Sequence, residues 1–504
     1  MKPRTTRLLC SLLLLLLLFT AVACKSEPES PVNTGDTGNI QADPNDPYAN
    51  YINEIGARNY ENREFIIATR NTDTKSFFTL HPDEGGYQGN MVSDAMYARD
   101  LKLESDYGIL VTYQLYSDGD DGKELASNIS NAELGNLHTC DMIASNIPNS
   151  IGTLQAQNVL YNIEQLPVIN SGMPWWSEYF WENVSFNNRL YFVAGQAAGG
   201  GFFATPYVMI CSLALAQDVV MQDGSTLDIF GLVENGDWTL ENFAYLIHDY
   251  TIDLDGDQEI SVYHDRIAYA TPRSEITAYS HFVAAGMQLS SVDEDGNITI
   301  DIGENTADMV QRLCDIFAEI ENNFDHAAYF DETPSQSIVA FKQNRALFFG
   351  NSVSYVDEIT DMTTDYAIIP CPKATAEQES YYSGINTWTP GYLAFPNHCG
   401  NGDTDFVGYV AEVMGYHSYQ SVKPQVYDEI LCLRQAKDPR QVEIMDTIYN
   451  NLYVDLNYIN DFGTSASLIA DCIMDSKVNF SSSKAAIETV LDLVLDKFEK
   501  DMSR

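Results

Sequence analysis

The sequence predicts an α/β protein made of large, interleaved lobes. Short, continuous apolar runs alternate with helical patterns, which is the signature of strands covered by helices. The chain has 504 residues, too many for one hydrophobic core, so two or three folding units are expected. Apolar residues make up 45% and aromatic residues 12%, enough to fill several cores and unlike a disordered chain.

Taken in order, the first strand is the run Phe65-Ile66-Ile67-Ala68, apolar on both faces as in a buried parallel sheet. Val92, Ala95, Met96 and Leu103 then recur at helical spacing, and Ile109-Leu110-Val111-Thr112-Tyr113 reads as a second strand. Strand, helix and strand in such quick succession predict a right-handed βαβ unit on a parallel sheet. Asp141-Met142-Ile143 marks the end of the next strand, and further strands are expected at 191–193, 207–211 and 266–271. A helix is expected over 239–250, with Thr239 as N-cap, Glu241 in the first turn and Leu240, Phe243, Leu246, Ile247 and Tyr250 on one face. Trp238, just before it, reads as a packing anchor. Ala346-Leu347-Phe348-Phe349 is an apolar strand that ends in the turn Gly350-Asn351. Asp438-Pro439 starts another helix, with Asp as cap, Pro at the first position and Gln441 at the capping-box position. Ile487, Val490, Leu491, Val494, Leu495 and Phe498 form one apolar stripe on a terminal helix.

The first residues carry a different message. Lys2, Arg4 and Arg7 precede an apolar run from Leu8 to Phe19, and small residues lead to Ala21-Val22-Ala23-Cys24. The run is too short to span a bilayer, which takes about 20 apolar residues, and reads as a signal peptide over 1–23. Its exit resembles a bacterial lipobox, in which Cys24 is acylated and becomes the first residue of the mature chain. The segment 24–49, rich in Pro, Ser, Gly, Asn and Asp, reads as a flexible lipidated linker. No other stretch is long and apolar enough to cross a membrane.

Lys and Arg number 27 against 72 Asp and Glu, a formal charge of −45. That surface repels phosphate backbones and anionic lipid, so nucleic acid is excluded as a partner and membrane contact falls to the acyl chain alone. Of nine cysteines, Cys140, Cys211, Cys314, Cys371, Cys399, Cys432 and Cys472 are left once Cys10 and Cys24 are set aside. They are scattered, with no Cys-x-x-Cys pair, and read as buried small hydrophobes rather than as a disulfide or zinc framework.

Six phrases carry a resemblance. They are "SDAMYARDLKLESDYGILV" from Ser93, "MPWWSEYFWENVSFNNRLYFVAGQ" from Met173, "NGDWTLENFAYLIHDYTIDLDGDQE" from Asn235, "AFKQNRALFFGNS" from Ala340, "DYAIIPCPK" from Asp365 and "KDPRQVEIMDTI" from Lys437. In this order they are similar to phrases of the bacterial extracellular solute-binding proteins of family 1, carbohydrate-type lipoproteins that serve ABC importers. The resemblance implies a two-lobed, periplasmic-binding-protein-like (class II) fold with a ligand cleft between the lobes. It places the first lobe at 50–166 plus 382–436 and the second at 167–381 plus 437–504. It implies a monomer on the outer face of the cytoplasmic membrane that captures a sugar or oligosaccharide and hands it to membrane permease subunits, with no cofactor and no chemistry on the ligand.

Sugar clefts need flat aromatic faces and polar groups that exchange hydrogen bonds with hydroxyls. Trp175, Trp176 and Trp181 follow a proline near a predicted lobe crossing, and Trp388 lies in "GINTWTPGY" beside another. Asp141 is taken to stand at a strand end, where α/β sheets meet ligands. Many sugar-binding members place a Trp shortly after the position of Gly350. Here the stretch is Asn351-Ser352-Val353-Ser354-Tyr355, which makes Asn351 and Tyr355 candidates. Asp253, Asp255, Asp257 and Glu259 form an acidic turn with part of a calcium-loop ligand set, but Gln258 and His264 stand where Gly and an acid belong. No Gly-x-Ser-x-Gly, His-Glu-x-x-His or Walker-type motif appears. Two alternatives remain open: a surface enzyme that degrades polysaccharide, and a receptor that presents ligand to a sensor kinase.

Overall fold

A computed structural model of the chain describes residues 46–248, 250–293, 297–319, 324–325, 337–427, 438–475 and 478–502. The signal segment, Cys24, most of the linker and Cys432 lie outside these residues. Along the chain run β1 (Arg63–Arg70), α1 (Met91–Tyr107), β2 (Ile109–Tyr116), α2 (Lys123–Leu134), β3 (Met142–Ser145), β4 (Phe192–Ala194) and β5 (Tyr207–Ser212). Then come α3 (Leu240–Ile247), β6 (Ile267–Pro272), α4 (Glu275–Ala284), the hairpin β7 (Ser290–Val292) and β8 (Ile298–Ile300), α5 (Glu304–Glu319) and β9 (Phe324–Asp325). The remainder holds β10 (Ala346–Ser352), β11 (Tyr366–Ile369), β12 (Ser383–Gly384), β13 (Tyr392–Ala394), α6 (Thr404–Lys423), α7 (Arg440–Asn450), β14 (Leu452–Tyr453), α8 (Ser465–Met474) and α9 (Phe480–Met502).

Two five-stranded sheets organise these elements. The first has the order β2-β1-β3-β13-β4 and the second β11-β5-β10-β6-β9. β1 runs parallel to β2 and β3, as the βαβ reading requires, while β13 is antiparallel to both of its neighbours. In the second sheet β10 and β6 are parallel, β6 and β9 are parallel, and β5 and β11 are antiparallel additions. The strands that the sequence marks near residues 65, 109, 142, 192, 207, 267 and 346 are all present.

The helix signals hold in position but not in every detail: α3 ends at Ile247, short of Tyr250, and α7 has Pro439 rather than Asp438 at its N-cap. Asn90 caps α1, its side chain accepting from Val92 N and Ser93 N, and the Thr239 hydroxyl accepts from Asn242 N at the start of α3. Trp238 is fully buried and donates from Nε1 to Pro370 O. Gln441, however, does not form a capping box. It is fully buried and exchanges two hydrogen bonds with the backbone of Ile368, at 2.9 Å and 2.7 Å, so it anchors α7 to β11. A long amide satisfies a buried strand residue better than it would serve a half-exposed cap. The apolar stripe of α9 is only partly covered. Ile487 and Leu491 are buried and Phe498 meets Phe186 and Phe462, but Val490 is 41% exposed.

One strand departs from the expected partition. β4 pairs with β13 in the first sheet, although its residues fall in the 167–381 segment assigned to the second lobe. The chain therefore leaves the first sheet after Ala194, along 195–206, and returns along 371–391. It passes from α6 to α7 a third time.

Candidate functional site

The C-terminal edges of the two sheets face each other across these crossings. On the first-lobe side lie the segment after β1 and the turn Ile147–Ile151 after β3; on the second-lobe side lies Val353–Ile359 after β10. Ser76 and Phe77, after β1, both donate to the Asp357 carboxylate. Ile147 N donates to Thr387 O at 2.9 Å, and Asn386 Nδ2 donates to Ser352 Oγ at 2.7 Å. The turn 386–389 thus touches both lobes. The crossings themselves are held by Asn386 N to Thr205 O and Val353 N to Pro206 O. They approach closely enough that a Cβ on Gly391 would stand 2.4 Å from Gly201 O, so only glycine fits there.

Three buried polar side chains at these edges have an atom without a hydrogen-bond partner: Asn146 Nδ2, Ser150 Oγ and Asn351 Nδ2. Asn146 and Ser150 follow β3, and Asn351 closes β10. Buried polar atoms are nearly always paired, so these unpartnered groups, on segments next to the contacts that join the two lobes, are the candidates to meet a polar guest. The second-lobe half is shaped from below by hydroxyls. Tyr207 Oη meets Tyr269 Oη, Thr271 Oγ1 and Thr277 Oγ1 at 2.7–3.2 Å. A Cβ at Gly350 would fall 2.0 Å from Tyr269 Oη, so only glycine leaves room for the tyrosine pair against β10. Beside β6, Tyr279 and Tyr458 stack at 3.6 Å with parallel planes. The turn that leads into α8 holds Thr464, a β-branched residue, at φ 63°.

Burial of Asp357 pushes its carboxyl up to about 6, against the lowering effect of the Ser76 hydrogen bond. Further from the edges, the fully buried Glu412 is raised to about 7 by desolvation, with Trp176 Nε1 donating to it at 2.9 Å.

The residues singled out in the sequence divide sharply. Trp388 is 38% exposed on the turn that touches both lobes, Asn351 is one of the orphaned edge residues, and Tyr355 is half-buried against Phe349 in the segment that carries Asp357. Trp175 does not belong with them. It is fully buried among Tyr48, Tyr51, Tyr416 and Tyr419. Trp176 is buried against Glu412 and Gly195, and Trp181 packs on Trp176. Asp141 lies at the opposite end of its strand, because β3 starts at Met142. Its carboxylate accepts from Ile66 N and Gly400 N and pairs with His138, so it ties the far edge of the first sheet together. The residues missed are Asn146, Ser150, Ser76, Asp357 and Asn386. Only Asn146 had a legible signal, a polar residue two positions after the apolar run at 142–144.

In the acidic turn, Asp253 and Asp255 come within 4.8 Å of Asp265, a residue outside the motif, whereas Asp257 and Glu259 are not part of that group. Asp253 spends both oxygens on Gly256 N and Gln258 N, and Asp265 spends its pair on Leu254 N and Ser261 N. The turn is thus folded by its own amides.

No family model matches the sequence, and no curated protein matches it. Among solved structures, the chain is similar to the GacH receptor of Streptomyces glaucescens GLA.O, described unliganded and in complex with acarbose. Identity is 12%, over 86% of this chain and 99% of that one, at a TM-score of 0.51. It is also aligned with the maltose/maltodextrin-binding domain MalE of Bdellovibrio bacteriovorus, bound to maltotriose. There identity is 13%, over 87% and 100% of the two chains, at a TM-score of 0.47. The first likeness establishes the fold: a mixed α/β, two-lobed binding-protein architecture.

Proposed function

We propose that this chain is a lipid-anchored extracellular solute-binding protein that captures a sugar or oligosaccharide and delivers it to an ABC importer. The observation that carries the reading is the pair of facing strand edges, each with buried amide or hydroxyl groups short of a partner, with an exposed indole on the turn between them. Amide donors and a flat aromatic face suit a polyhydroxylated ring, and each lobe supplies half of the contacts, so only the closed form surrounds the guest. The acarbose-bound state of the GacH receptor supports the choice of ligand class. The signal-like leader and Cys24 support the anchor, and the −45 charge supports attachment through the acyl chain alone. Nothing in this mechanism alters the ligand; lobe closure is the event a permease would read.

A thermal-shift screen of mono- and oligosaccharides tests the proposal. A bound sugar raises the melting temperature with the logarithm of its concentration over its dissociation constant, and Trp388→Ala reduces the rise due to the strand-edge site. No stabilisation by any sugar would remove carbohydrate from the proposal. Turnover of a labelled glycan would replace it with the enzymatic alternative.

A further inference from the structure

A cavity of about 540 Å3 lies between the end of α6, the segment that follows Ser171, the first crossing and α7. It shares no lining residue with the strand-edge site: its walls include Tyr179, Tyr419, Tyr449 and Lys423 in place of Asn146, Asn351 and Trp388. Its volume falls within the roughly 300–1,000 Å3 of small-molecule pockets. We infer that this cavity is a second ligand site, one that takes a neutral saccharide ring.

Three features of the lining argue for that class. First, the walls are unusually rich in aromatic rings, with Tyr179, Tyr419 and Tyr449 only half-buried and Trp176 behind them. Such faces stack on the C–H faces of sugars. Second, Gln196 is buried at 4% exposure; its Nε2 donates to Pro174 O at 3.1 Å, while its Oε1 has no hydrogen-bond partner. An acceptor left over in a wall is completed by a hydroxyl donor, and a sugar brings several. Third, the charges argue against an ionic guest. Lys423 is held 4.9 Å from the ring centres of both Tyr419 and Tyr427, and Asp446, which also lines the cavity, accepts from Tyr427 Oη at 2.5 Å. With Glu178 as a second acid on the wall, one ammonium faces two carboxylates, and a carboxylated sugar gains nothing.

The inference deepens the saccharide reading but stands on a different set of residues, so the two can fail separately. The test is a ligand-observed NMR titration of the intact chain with glucose, xylose, N-acetylglucosamine and galacturonate, repeated with Gln196→Leu, Tyr419→Ala and Trp388→Ala. The expected result is binding of at least one neutral sugar that weakens about tenfold or more in Gln196→Leu and in Tyr419→Ala and is unchanged in Trp388→Ala. Circular dichroism melting confirms that each variant is folded, and Tyr179→Ala, at a half-buried wall aromatic, takes the place of a wall variant that does not fold. Loss in Trp388→Ala alone would place all sugar binding at the strand edges and overturn the second site while leaving the first intact. Preference for galacturonate, or no binding of any neutral sugar by the intact chain, would overturn the ligand class.

Discussion

Trp175 and Trp388 stand at comparable places in the sequence, each in an aromatic phrase beside a lobe crossing, yet they have opposite environments. Trp175 is fully buried and edged by four tyrosines, while Trp388 is 38% exposed on a turn held from both sides by the two lobes. The contrast teaches that nearness to a crossing does not decide exposure; which side of the crossing the backbone presents does. Gln196 N bonds to Trp175 O and Ser177 N to Ala194 O, so the tryptophan pair is laid down as an extra strand along the first sheet. Trp388 instead follows Asn386, whose side chain is spent on Ser352 and whose Oδ1 accepts from Trp388 N. That turn leaves the indole outward.

Four changes would break or sharpen the contrast. The largest effect is expected from Trp175→Ala, which empties a fully buried site and costs about 3–5 kcal/mol of stability by chemical denaturation. Next is Glu412, the buried acid beside Trp176. Its folded carboxyl is raised to about 7 from an ordinary value of 4.5, so the unfolded chain loses its proton first. Stability therefore falls as pH rises from about 4.5 to 7, by about 3 kcal/mol in total, and the penalty is complete above that window. Glu412→Gln flattens that slope in a series of pH-dependent unfolding curves; an unchanged slope would mean the carboxyl is not desolvated. A smaller effect follows from Ser76→Ala, which removes a donor to Asp357. It costs about 1 kcal/mol, and the Asp357 carboxyl, already raised to about 6, moves further up because a lowering contact is gone. NMR titration of the Asp357 carboxyl reads that shift. The smallest change in stability, within about 0.5 kcal/mol, is expected from Trp388→Ala, although the same substitution weakens sugar binding at the strand edges about tenfold or more.

Much of the fold was legible because its strands are buried on both faces and so read as unbroken apolar runs, as at Phe65–Ala68 and Ala346–Phe349. The helix start at Thr239 was legible because capping is local chemistry. Membership in a sheet was not. Nothing near Phe192 reveals that β4 pairs with β13, a strand two hundred residues away. The same limit governs the site. Asp141 and Asn146 flank one short strand, and taking one of its ends for the other exchanges a residue that braces the sheet for one at the candidate edge. Gln441 shows a third kind of limit, since its spacing fits a cap while its partner, Ile368, is set only by packing of α7 on β11.

The central claim is that the two strand edges grip one guest together. Calorimetric titration of the most stabilising saccharide into the native chain, Asn146→Ala, Asn351→Ala and the double variant tests it most directly. The account predicts that each single change, one from each lobe, weakens binding about tenfold or more, near 1.4 kcal/mol, with the folded state retained. Native affinity in both single variants would contradict it.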